Sequence, residues 1–378
     1  PLLSSFALGL AVALCAVPAE AAPAKKKPAV SKTAKKKAAK PKVAPGAITA
    51  GHEASPGMKA AAAALALAAA GDASATQAAQ ALKLAGNTPR AAADILNTAP
   101  PEAWREPDPS HLVLMEFKLA TQPEPAQVLM ELAPQFAPQH AANIRALVRG
   151  GYFNGLSVLR VQDNFVTQWG DPNEGPTAKA LPAEAQAKLP AEFDVALAGL
   201  PLHALAENDG WAPLSGFVDG FAVAADPART PQGRAWLAHC YGAVGAGRGN
   251  EIDSSNGSSL YAIVGQPARS LDLNITVVGR VLKGIEHLAA LPRGSGNMGF
   301  YGGAEAKAPL MRARLLADLP AAERPTGIVL RTDSAAWFEL LQSRRHRGGW
   351  FVYSPGRVDL CSAAVPVRVQ GPGAPVGP

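Results

Sequence analysis

Leu159-Arg160-Val161-Gln162-Asp163-Asn164-Phe165-Val166-Thr167-Gln168-Trp169-Gly170-Asp171-Pro172 reads as a strand, a short turn and a second strand. The first strand presents Arg160; the second presents Phe165 and Gln168. A guanidinium, an aromatic ring and a primary amide are thereby gathered beside each other.

Working outward, the same alternation precedes this stretch at His111–Phe117 and again at Gln127–Leu132. Thr121-Gln122-Pro123-Glu124-Pro125 between them is turn chemistry, so a β-hairpin is predicted. Pro138 then opens a helix with Ile144, Leu147 and Val148 on one face, and Gly150-Gly151 ends it. Further strands are predicted at Ser157–Val161, Phe165–Trp169, Leu260–Val264, Thr276–Val281 and Leu310–Leu316, with a helix at Ile285–Leu291. Many short strands with two helices argue for a mainly β fold, a closed antiparallel barrel capped by helices. The 48% hydrophobic fraction is inflated by alanine, which buries little area. The true core must lie where Val, Ile, Leu, Phe and Trp concentrate, between about Leu112 and Leu316.

The Arg160, Phe165, Gln168 spacing resembles the cyclophilin signature. Three other blocks follow the same family in order. Ala141-Ala142-Asn143-Ile144 resembles its Ala-Glu-Asn-Phe helix, and Ser255-Asn256-Gly257-Ser258-Ser259-Leu260-Tyr261-Ala262-Ile263 its Asn-Gly-Ser-Gln-Phe-Phe-Ile strand. Leu271-Asp272 and Val277–Glu286 resemble its Leu-Asp and Phe-Gly-x-Val-x-x-Gly-Met-Asp segments. The resemblance is closest to long exported cyclophilins of Gram-negative bacteria. It implies an eight-stranded barrel over 106–320, with an insertion at about 181–238.

It also implies a peptidyl-prolyl cis-trans isomerase. An X-Pro bond rotates slowly because amide resonance must be lost, at a barrier of roughly 18–20 kcal/mol. In the twisted state the proline nitrogen gains a lone pair that a guanidinium can hydrogen-bond, which is differential binding of the transition state. A hundred-thousand-fold acceleration requires about 7 kcal/mol. By resemblance Arg160 has that role, Phe165 and Tyr261 wall the proline pocket, and Gln168 meets the substrate backbone and orients Arg160. Leu271 and Ile275 complete the pocket, and Ala246, Gly247 and Arg248 take the place of the family's Met-Ala-Asn stretch. Three positions depart: Ser259 replaces a Gln, Ser270 the pocket-edge Trp, and Ile275 the pocket His. Loss of the Trp indole implies weak or no cyclosporin binding. The departures also leave a second reading, a non-catalytic proline-binding or scaffold module using the same groove.

The flanks point to export. Leu2–Val17 is a short apolar run, and Ala19-Glu20-Ala21 is an A-x-A cleavage signature, so residues 1–21 are predicted to be a signal peptide and the protein periplasmic. Cleavage would leave Cys240 and Cys361, a candidate disulfide in an oxidising compartment; two inert thiols are the alternative. Residues 22–50 read as an Ala/Lys/Pro tether. Its nine lysines between Lys25 and Lys42 exceed the whole net charge of +6, so no basic face for nucleic acid is implied. An alanine-rich helical segment covers 51–105, and a general chaperone role through it is a third reading. The C-terminal extension, 321–378, is predicted to hold a helix at Ser334–Arg345, a strand at Trp350–Tyr353 and a loose end from Gln370. The expected partners are unfolded or partly folded proline-containing exported proteins.

Other signals carry less. Gly294-Ser295-Gly296-Asn297-Met298-Gly299 matches a dinucleotide fingerprint literally but follows a helix, the wrong context. His239-Cys240 lacks a second ligand pair, so no metal is expected, and no cofactor is needed.

Overall fold

The computed structural model describes residues 90–372, apart from Glu174, Ala304, Ala306 and Lys307. The predicted signal peptide, the tether and residues 51–89 of the alanine-rich segment lie outside the described residues.

The chain enters through α1 (Ala92–Asn97) and β1 (Trp104–Arg105). The first hairpin is β2 (Leu112–Phe117) and β3 (Ala126–Leu132), with Val113 opposite Met130 and Met115 opposite Val128. α2 (Pro138–Arg149) starts on proline, whose missing N–H is no loss in a first turn. Its N-cap, Ala137, offers no side chain. Instead Gln139 N and His140 N each donate at 2.9 Å to the carboxylate of Glu192, a residue of the insertion. The quoted stretch forms β4 (Ser157–Val161) and β5 (Val166–Gly170), paired antiparallel.

The insertion holds a sheet of its own: β6 (Val195–Ala196), β7 (His203–Ala204), β8 (Leu214–Val218), β9 (Phe221–Asp226) and β10 (Arg234–Leu237). These pair antiparallel in the order β6-β10-β9-β8-β7. Asp219-Gly220 turns β8 into β9 with φ of 49° and 81°, the left-handed pair that a two-residue hairpin turn requires.

The barrel resumes with β11 (Ala243–Ala246), β12 (Leu260–Ile263), β13 (Val277–Lys283), α3 (Ile285–Ala289) and β14 (Leu310–Leu315). Its eight strands run β14-β2-β3-β13-β11-β12-β5-β4. The ring is nearly closed where the two ends meet: Leu310 N donates to Leu156 O at 2.7 Å and Gly155 N to Leu310 O at 2.9 Å. Inward residues of every strand fill it, among them Met115, Phe117, Met130, Trp169, Val244, Leu260 and Val278, and Ile144 and Leu147 of α2 plug one end. Leu112 and Leu114 face outward yet are buried, because Leu316 and Leu319 fold back over them.

β15 (Thr326–Leu330), α4 (Ala335–Arg345) and β16 (Val367–Gln370) form the extension. β15 pairs with β1 on one side and β16 on the other, while α1 and α4 share a core around Trp337. Ser334 caps α4 by accepting from Trp337 N at 3.2 Å. Cys240 and Cys361 are joined, S–S 2.04 Å, across 121 residues of sequence.

Two expectations for this region are corrected. Trp350–Tyr353 is an exposed loop and not a strand; Arg347 N and Gly356 N close its neck with bonds to Ser354 Oγ and Arg345 O, and none of its four residues pairs with a strand. Gln370 is not loose but pairs with Thr326.

Candidate active site

Arg160 stands on β4 and is only 9% exposed. Its Nε donates to Met298 O at 2.7 Å, and its Nη2 donates to Gln162 Oε1. Both acceptors are neutral. The guanidinium carbon lies 5.6 Å from the Phe165 ring centre and 5.5 Å from that of Phe300, so the cation is held between two aromatic faces. Among the described residues no carboxylate pairs with it, and Nη1 keeps its donors free. Burial pushes the Arg160 pKa down, as it must for a cation without a counterion.

Met298 and Phe300 come from the glycine-rich loop after α3. Gly299 (φ 79°) lets that loop lie against β4: a side chain there would sit 2.6 Å from Val161 O. Gly294 N donates to Val161 O at 3.0 Å and Tyr301 N to Leu159 O at 2.9 Å, so both ends are pinned. Met298 itself takes φ 56°, a conformation that costs energy outside glycine and aims its carbonyl at Arg160. The literal G-x-G-x-x-G thus serves as the brace of a side chain.

Phe165, Tyr261, Leu271 and Ile275 share one apolar cluster, which the inserted sheet extends through Val218, Phe221, Val223 and Leu237. The insertion therefore backs the pocket wall. Gln168 lies opposite Tyr261 in the β5–β12 register, with Nε2 donating to Ser259 Oγ at 3.0 Å. Its amide thus engages the residue that replaces the family's Gln. The expected Gln168–Arg160 contact is absent among the described hydrogen bonds, because Arg160 is steered away by Met298 and Gln162.

The register also corrects the β11 assignment. Gly245 lies opposite Tyr261, and Ala246 opposite Leu260. Alternation then sends Ala246, fully buried, into the barrel core and leaves Gly245 on the pocket face. Any side chain at Gly245 would collide with the Tyr261 ring, so the tyrosine lies flat across bare backbone. Gly247 lies next to Gln168 Nε2 and Ser259 Oγ. Arg248 is tied down, its Nε donating to Asn274 O at 2.8 Å.

The Tyr261 hydroxyl finds a partner that sequence reasoning did not name. It lies 2.9 Å from Nε2 of buried His239, whose Nδ1 lies 2.9 Å from Asp272 Oδ1. Asp272 Oδ2 accepts from Trp236 Nε1 at 3.1 Å and Arg269 Nε at 2.6 Å, and Arg269 pairs with Asp209 at 2.8 Å. Burial raises the Asp272 carboxyl pKa, but the bond from His239 and the Arg269 charge outweigh it and hold the group below its usual range. Burial, then the Asp272 charge, pushes the Tyr261 pKa well up, so the phenol stays neutral. Tyr261→Phe would leave His239 Nε2 buried without a partner. The expected result is a loss of about 1–3 kcal/mol of stability in denaturant titration with an intact fold; an unchanged midpoint would count against the network.

No group of three or more His, Cys, Asp or Glu among the described residues is arranged to hold a metal.

A family model described as cyclophilin type peptidyl-prolyl cis-trans isomerase/CLD matches residues 116–309. A protein of Brucella suis biovar 1 (strain 1330) named probable peptidyl-prolyl cis-trans isomerase is 29% identical over 188 residues, 50% of this chain and 74% of that one. The human peptidyl-prolyl cis-trans isomerase-like 1 shares 32% identity over 73 residues, 19% of this chain and 38% of its own. Among solved structures, cyclophilin AquaCyp293 from Hirschia baltica superposes with a TM-score of 0.57 at 25% identity, covering 72% of this chain and 95% of that chain. With the eight-stranded barrel and a family match over more than half its length, this chain belongs to the cyclophilin-type peptidyl-prolyl cis-trans isomerases.

Proposed function

We propose that this isomerase acts outside the cytoplasm on proline-containing segments of unfolded or partly folded exported proteins, with Arg160 stabilising the twisted transition state. The observation that carries the mechanism is the setting of that guanidinium. Neutral acceptors and two rings fix it while leaving Nη1 free to donate. As the X-Pro bond twists, its nitrogen loses conjugation and becomes an acceptor, so the bond to Nη1 forms only on the way over the barrier. Phe165, Tyr261, Leu271 and Ile275 offer the proline ring an apolar seat, and Gln168 offers an amide to the flanking backbone. No covalent step is required.

Export is supported by the apolar run with its A-x-A site in the sequence and by the Cys240–Cys361 bond, a linkage typical of oxidising compartments. Ser270 is exposed, and the resemblance aligns it with the family's pocket-edge Trp, which supports weak cyclosporin binding as part of the same reading. In a protease-coupled assay, the chain beginning at residue 22 is expected to accelerate cis-to-trans conversion of an Ala-Pro peptide in proportion to its concentration. Residues 1–50 fused to alkaline phosphatase, a reporter active only after export, should give activity and cleavage after Ala21. An uncatalysed rate would sink the mechanism, and an inactive, uncleaved fusion would sink the location.

A further inference from the structure

The segment following α4 projects as a loop with a closed neck. Arg347 N donates to Ser354 Oγ at 3.0 Å, Ser354 Oγ donates to Arg345 O, and Gly356 N donates to Arg345 O at 3.1 Å. Gly349 (φ 65°) and Gly356 (φ 68°) supply the turns. At the tip stand Trp350, 88% exposed, Phe351, 42%, Val352, wholly exposed, and Tyr353, 79%. Four successive large apolar side chains facing water mark a contact surface.

Charge identifies the partner. Arg345 is neutralised by Glu207, but exposed Arg347 and Arg357 form no ion pair with a carboxylate among the described residues. The Arg347 guanidinium lies 5.1 Å from the Phe351 ring centre, directly behind the tip. The loop is thus layered, apolar and amphipathic rings outermost and cations at the neck. A tip at most three residues beyond its neck can reach no more than roughly 10 Å, within the ~5–10 Å to which interfacial segments sink below lipid headgroups. Trp and Tyr favour that level, and Arg there meets lipid phosphate. A convex tip without strand geometry offers an incoming peptide no backbone ladder.

We infer that residues 347–357 dock this protein on the surface of an anionic lipid bilayer. The inference is independent of the isomerase site.

The test uses the protein beginning at residue 22, with its lysine tract, on vesicles of phosphatidylcholine with and without 30% phosphatidylglycerol. Because the nine lysines between Lys25 and Lys42 can attract the same vesicles, insertion is read by quenching of tryptophan emission with brominated lipid. Wild type is expected to be quenched on anionic vesicles. Trp350→Phe should lose most of that quenching, and Trp350→Ser with Val352→Ser and Tyr353→Ser should bind at least tenfold more weakly. Arg347→Gln with Arg357→Gln should weaken binding severalfold and reduce its salt dependence. Isomerase activity should be unchanged in all variants. Binding that ignores the loop variants, quenching that survives Trp350→Phe, equal binding to neutral vesicles, or loop-dependent capture of unfolded protein without vesicle binding would each overturn the inference.

Discussion

Arg160→Ala is expected to lower kcat/KM for an X-Pro peptide roughly 100- to 1,000-fold, about 2.7–4 kcal/mol, with the loss mainly in kcat. The size follows from the role proposed for the side chain. A donor aimed at charge that appears only in the transition state contributes nothing to ground-state affinity, so KM should barely move. On the proposed mechanism the apolar cluster of Phe165, Tyr261, Leu271 and Ile275 is kept in the variant and can still seat the proline. Arg160→Lys should recover little. A single ammonium cannot donate to Met298 O, reach Gln162 Oε1, lie between Phe165 and Phe300 and still present a free donor. Stability should change modestly, because the side chain brings the fold a cost as well as contacts: burial without a carboxylate disfavours its charge. Single-turnover and steady-state isomerisation with matched circular dichroism separates these effects. Full activity in Arg160→Ala would show that the twisted state is stabilised without this guanidinium.

Much of this was legible in short-range pattern, and its gaps have physical causes. The β2–β3 and β4–β5 hairpins announce themselves because alternation and turn chemistry lie within a few residues of each other, and α2 because Pro138 and Gly150 bracket one apolar face. Arg160, Phe165 and Gln168 are close in sequence for the same reason. What Arg160 leans on is not: Met298 and Phe300 arrive about 140 residues later, from a glycine-rich loop without periodicity. The resemblance puts Ala246 where the register puts Gly245, and a one-residue slip exchanges pocket face for core face. The Asp219-Gly220 turn was a readable signal for the β8–β9 hairpin, whereas two-residue β6 and β7 exist only because neighbours pair with them. Trp350–Tyr353 has strand-like composition but pairs with no strand, because propensity without a partner does not make a strand.

Breaking the Cys240–Cys361 bond is expected to have the second large effect. Cross-linking residues 121 apart removes much of the unfolded chain's freedom; loop-closure entropy for that span is worth about 4–5 kcal/mol, and losses of about 2–5 kcal/mol are usual for native bridges. Cys240→Ser with Cys361→Ser should therefore lower Tm by roughly 5–15 °C. The bridge also sits where the structure couples to the pocket. Cys240 follows His239, which holds the Tyr261 hydroxyl, and Cys361 belongs to the core that fixes the extension around Trp337. Freed of the bridge, the 238–242 segment can shift His239, so the proline seat loosens and KM should rise severalfold while kcat falls less, the opposite split from Arg160→Ala. Titration of the unfolded, unreduced protein beginning at residue 22 should find no free thiol, and reduction of the wild type should reproduce the low Tm. Two free thiols, or a variant that melts with the wild type, would show that packing alone holds the extension against the barrel.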